Sequence, residues 1–149
     1  MPTTLIKPTK KHARKIVDLL GHGLCGGLGD PEPGKMCVEA MVCYAFGLPH
    51  SDNPPCVGPV VRSFKIALND SDWSSNRARA KGMARIAIAQ LGSNEIDQTV
   101  FVKELALAMI RKIVPIALRA AAGMTGLPAE HKPKLEACAV SCEGVETLD

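Results

Sequence analysis

Apolar side chains return along most of this chain at the three- and four-residue spacing of an amphipathic helix, and no run reads as a parallel strand. Ala13, Ile16, Val17 and Leu20 share one face of a helix predicted over 9–20, which Gly21 ends. The segment 36–46 is apolar nearly all round, with Glu39 its only charge, so it predicts a buried helix stopped by Gly47 and Pro49. Pro59 opens a further helix to about 68, closed by Asn69-Asp70-Ser71-Asp72. Ser74 or Ser75 suits the N-cap of a helix that runs to Gly92. Asp97 caps the next one, over 97–114, where Val102, Leu105, Ala106, Met109, Ile110 and Ile113 fill more than half the circumference. That breadth places it at the centre, packed from several sides. Pro115 kinks it or begins a new helix through 122, and a last helix over about 129–143 carries Leu135, Cys138, Ala139 and Cys142.

Two stretches interrupt the helical pattern. Residues 21–34 are rich in glycine and hold Pro31 and Pro33, which predicts a long, structured loop of a kind that often carries function. His50-Ser51-Asp52-Asn53-Pro54-Pro55 reads as a turn or short extended piece, because each proline restricts its neighbour. The fold class is therefore all-α: a single compact domain of about five to seven helices around the 97–114 helix, with 1–8 and 144–149 loose at the ends.

Composition agrees with this outline. The 149 residues suit one domain and can bury roughly two thirds of the unfolded surface without a disulfide or metal. Aromatic residues make up only 3%, so the core must be built from Leu, Ile, Val, Met and Ala, which lets helices approach closely. The net charge of +3 and the isoelectric point near 8.6 fall short of the concentrated basic face, with pI above about 9, that marks nucleic-acid binders. Lys7, Lys10, Lys11, His12, Arg14 and Lys15 read as a solvated helix face. Residues 1–15 lack the apolar core of a secretion signal. Glu104, Arg111 and Arg119 break the longest apolar tract before it reaches the ~18 residues of a membrane span. The expectation is a cytoplasmic protein with no membrane role and reduced thiols at its six cysteines.

Several motifs imitate chemistry without completing it. Gly21-x-Gly23-x-x-Gly26 matches the dinucleotide fingerprint in letters, but it follows an amphipathic helix where that fingerprint needs a strand. Gly29-x-x-x-x-Gly34-Lys35 approaches a phosphate-binding loop, yet Met36 stands where a magnesium-binding hydroxyl is required. Pro31 and Pro33 also remove N–H donors, and Asp30 and Glu32 would repel phosphate. Arg77, Lys81 and Arg85 form a stripe at i, i+4, i+8, opposite Ala80, Met83, Ala87 and Leu91, as a solvated face would. Cys138 and Cys142 could supply two metal ligands, but only His131 stands near and core packing is preferred.

The segment 37–56 gathers Cys37, Glu39, Cys43, Tyr44, His50, Asp52 and Cys56. A carboxylate on so apolar a helix must be paired, solvated or protonated, which makes Glu39 the most informative residue; Lys35, His50 and Arg62 are its candidate partners. Three readings stand. A Cys37 or Cys56 thiol beside His50, oriented by Glu39 or Asp52, would be an activated nucleophile. Cys37, His50 and Cys56 with a carboxylate could hold zinc, the only cofactor the chain hints at. The preferred reading is structural, with His50 and Asp52 capping backbone groups of the turn.

The same residues carry a likeness. Met36-Cys37-Val38-Glu39-Ala40, followed by Gly47-x-Pro49-x-Ser51-Asp52-x-Pro54-Pro55-Cys56-Val57-x-Pro59-Val60, resembles a pattern in small uncharacterised bacterial and phage-associated proteins. The resemblance covers residues 36–60 and extends toward Asn69-Asp70 and Trp73-Ser74. It implies a shared piece of fold, and the family has no known activity to carry over.

These observations lead to a non-enzymatic helical interaction or regulatory protein that self-associates and binds another macromolecule through the loops 21–34 and 47–58. The rival is a small cysteine-dependent or zinc-assisted enzyme using Cys37 or Cys56 with His50. The least favoured alternative is a nucleic-acid binder using Lys10, Lys11, Arg77, Lys81 and Arg85, whose affinity would fall steeply with salt.

Overall fold

Residues 7–148 are described by a computed structural model, and they fall into two compact units that divide between Ile96 and Asp97. Both are all-α: the described residues hold helices, turns and one isolated β-bridge, with no strand. Most of the expected loose segment 1–8 lies outside the described residues, while 145–148 carry no helix.

In the first unit, α1 (Lys10–Leu20) begins at Thr9, which is extended in backbone and accepts the His12 N–H on its side-chain oxygen. His12 completes a capping box by accepting the Thr9 N–H, and its ring stacks on Phe46 at 3.9 Å. The helix α2 (Val38–Phe46) starts at Cys37, whose sulfur accepts the Ala40 N–H at 3.3 Å. It ends at Gly47, which takes a left-handed conformation with φ of 71°. The helix α3 (Pro59–Asn69) uses Pro59 at its first position, where a missing N–H costs nothing. The helix α4 (Asn76–Ala89) is capped by the Ser75 hydroxyl and is followed by a 3₁₀ turn at Ser93–Glu95.

The core of this unit surrounds α2, which packs against α1, α3 and α4. Val38, Ala40, Met41, Val42, Cys43 and Ala45 are buried on it. Ile16 and Leu19 meet them from α1, Val61 from α3, and Ala80, Met83 and Ala87 from α4. Each large side chain so enclosed contributes about 1.5–3 kcal/mol. Between α1 and α2 the glycine-rich segment doubles back on itself. Cys25 donates its N–H to the Met36 carbonyl, Cys37 to that of Leu28, and Asp30 to that of Lys35.

In the second unit, α5 (Gln98–Ala108) is capped by Asp97, whose carboxylate accepts the Thr99 and Val100 N–H groups. A π-helical turn, Met109–Ile113, joins it to α6 (Val114–Ala122), and α7 (Lys132–Glu143) packs against α6. Pro115 has no N–H to offer the preceding turn, and just before it the Val114 N–H reaches back five residues to the Met109 carbonyl. Arg119 clasps Glu136 at 2.9 Å and Glu143 through both guanidinium branches.

The helix expected at the centre, 97–114, does not hold that place. Among the described residues of this unit only Pro115 and Ala139 are buried, and α5 has none. A broad apolar arc states that a helix needs covering; it does not say which neighbours supply the cover. In the first unit three helices surround the shorter α2 and make it the centre. No helix among the described residues is long and apolar enough to cross a membrane.

Candidate functional site

Glu39 sits in the first turn of α2 with no exposed surface, and the ammonium of Lys65 on α3 donates to its Oε1 at 2.9 Å. Lys65 is equally enclosed. It belongs to the buried line of α3, Val61, Lys65 and Asn69, spaced four residues apart. Asn69 continues the polar clamp. Its Oδ1 accepts the Val38 N–H at 3.2 Å, satisfying one of the donors that a helix start leaves over, and its Nδ2 donates to the Cys25 carbonyl at 2.9 Å. One face of α3 thus holds the beginning of α2 by a charge and a hydrogen bond.

Burial raises the Glu39 carboxyl above its ordinary range, and the Lys65 charge only offsets this; burial lowers Lys65 in turn. Both directions have one cause: removing the two charges from water outweighs what their attraction returns. The second carboxylate oxygen of Glu39 has no hydrogen-bond partner in the protein. Beside it lies a recess of about 30 Å³ lined by Cys37, Glu39, Asp52 and Asn69, among others. That volume suits a water or two. Small-molecule sites need roughly ten times as much.

The thiols nearby are sealed. Cys37, Cys43 and Cys56 are buried, and burial pushes all three up, Cys43 to about 12, with Glu39 adding repulsion at each. The thiolate is the nucleophile, so a thiol held protonated inside a core is inert. His50 points elsewhere: its Nε2 donates to the Gly29 carbonyl at 2.9 Å, and its Nδ1 has no hydrogen-bond partner. It ties the turn after α2 to the glycine loop, where the sequence suggested a cap on the backbone of the turn itself. Asp52 pairs with Arg62 at 3.5 Å. Among the described residues no three potential ligands gather to hold a metal, so Cys37, His50 and Cys56 do not converge on one point.

The structure therefore brings Glu39, Cys37, Cys43 and Cys56 into one buried neighbourhood and leaves His50 and Asp52 engaged at its edge. None of the three expected partners takes Glu39. Lys35 is drawn to Glu32 at 2.8 Å, Arg62 to Asp52, and His50 to a carbonyl. Lys65 and Asn69 were the residues to find, and the available signal was their four-residue spacing from Val61, which puts both on a buried line. Arg79, between the solvated Arg77 and Lys81, is a further linchpin: it donates to the carbonyls of Asn69 at 2.8 Å and Leu24 at 3.1 Å.

Chemically this arrangement ties the start of α2 to α3 through one ion pair and one hydrogen bond. No family model, curated protein or solved structure matches the chain.

Proposed function

We propose that this chain is a non-enzymatic helical interaction protein, in which residues 1–96 form a rigid scaffold and the helices of 97–149 present the contact surface for another protein. One contrast carries this reading. The groups suited to chemistry, Glu39, Lys65, Cys37, Cys43 and Cys56, are enclosed, whereas large apolar side chains of the second unit stand in water. Ile116 is 65% exposed and Val140 56%, and Val100, Val102, Met109, Ile113, Val114 and Met124 are exposed as well. Single exposed apolar residues are ordinary on any protein; a short unit with two buried residues and this many exposed ones is the signature of a surface that another chain covers.

The loops 21–34 and 47–58 are less available for this role. Gly27 donates its N–H to Asp70, the backbone of 25–37 bonds to itself, and His50 joins one loop to the other. No cofactor is needed.

The test places a photo-crosslinking residue at Val100 or Ile116, with Lys81 on α4 as the control. Adducts with a protein chain, its own or a foreign one, are expected from positions 100 and 116 and not from 81. Silence at 100 and 116, or equal labelling at 81, rejects the reading.

A further inference from the structure

We propose that the partner is a second copy of this chain, docked antiparallel on the face that Glu104, Leu107 and Ala108 of α5 form with Arg111 of the π-helical turn; the inference rests on the interaction reading above. These four residues fall at i, i+3, i+4 and i+7, and together with Lys112 and Glu143 they line one open groove of about 470 Å³. Leu107 and Ala108 are the apolar residues lining the groove, and the other four are charged. Its N-terminal end is acidic and its C-terminal end basic.

Among the described residues Glu104, Arg111 and Lys112 form no ion pair, whereas Glu143 at the rim is held by Arg119. Glu104, Arg111 and Lys112 thus bring charges of both signs to the groove with no ion-pair partner among the described residues. The π-helical turn contributes to this. Arg111 and Lys112 follow one another within it, and both line the groove.

The occupant follows from symmetry and charge. In a two-fold contact, if residue i meets j, then j meets i. With the axis between Leu107 and Ala108, an antiparallel copy lays Leu107 on Ala108 twice and sets each Glu104 opposite the Arg111 of the other chain, with Lys112 beside it. A parallel copy would oppose Glu104 to Glu104 and Arg111 to Arg111, which like-charge repulsion forbids. The same register carries Val100, 56% exposed, toward Val114 of the second copy, 37% exposed, extending the apolar contact at both ends. The groove is its own complement.

Sedimentation of the full chain across a concentration series tests this, with E104R, R111E and the double reversal E104R/R111E. Both side chains are exposed, so each variant should keep its far-UV helical spectrum. The wild type should be dimeric at the upper concentrations. Each single reversal should raise the dissociation constant about tenfold or more by opposing like charges. The double reversal should restore pairing, and an equimolar mixture of the two single variants should associate better than either alone. A chain that stays monomeric throughout, a dimer indifferent to both reversals, or a mixture that does not recover overturns the proposal. If the chain is monomeric while position 100 or 116 crosslinks to a foreign protein, self-pairing fails and the interaction reading survives. If neither occurs, both fail.

Discussion

Lys65 is a lysine without exposed surface, and everything about it follows from Glu39 2.9 Å away. Removing one member strands the other charge in the core. The variant Lys65→Met should lose about 3–5 kcal/mol at neutral pH in denaturant unfolding, and Glu39→Leu with Lys65→Met should recover most of it, because neither charge remains to be desolvated. The pH dependence of the single variant has a definite sign. The Glu39 carboxyl, already above its ordinary 4.5 with Lys65 present, loses the charge that offsets its burial. A carboxyl raised in the folded state binds protons more tightly folded than unfolded, so its unfavourable contribution is relieved as pH falls through the raised value toward 4.5. The deficit of Lys65→Met should therefore shrink on acidification; a deficit that grows would contradict the buried pair. That Glu39 needed a partner was legible from its apolar surroundings in 36–46. Which partner it takes was not, because Lys35 and Arg62 have competing carboxylates in Glu32 and Asp52 that only the folded chain brings near.

At the level of elements, caps and stops were the clearest signals, since each works on its nearest neighbours in sequence. Ser75, Asp97, Gly47 and Pro59 all act at the ends expected of them. The internal bonding of the glycine loop was less visible. Its requirement for glycine is sharpest at Gly29, where φ is +69° and a Cβ would overlap the Lys35 carbonyl oxygen and the Cys25 sulfur. Gly27 has a similar φ of +65°, with open space around its Cβ position. Gly27→Ala should then cost only the left-handed backbone term, about 1–2 kcal/mol, and Gly29→Ala distinctly more, compared by urea midpoints. Equal losses would show that the loop yields at Gly29 and is not held by Cys25 and Met36. The π-helical turn was hidden for a different reason. Pro115 announces an interruption, and the sequence reading allowed a kink or a restart there, but how the preceding turn re-pairs its carbonyls depends on the local backbone compromise.

For the whole molecule, the two units differ in how their apolar surface is spent. The first encloses α2 among three helices, while the second leaves most of its large side chains at least partly exposed. Hydrogen exchange should report this difference. Amides of α2 should open only with global unfolding, and those of α5–α7 should exchange faster in dilute solution. Protection near Leu107 should then rise with protein concentration, as self-pairing requires, while that of α2 stays constant. Slowest exchange in α5–α7 at low concentration would run against both the burial pattern and the proposed pairing.

The sequence by itself determined the helical class, most helix ends and the need of Glu39 for a counter-charge, because periodicity, capping and desolvation act over a few residues or on a single side chain. The tertiary structure alone decided that α2 and not 97–114 is the central helix, that Lys65 answers Glu39, and that His50 turns to a carbonyl and away from the thiols. Those outcomes depend on which distant segments are packed together, and long-range choices among several chemically adequate partners leave no periodic trace along a chain.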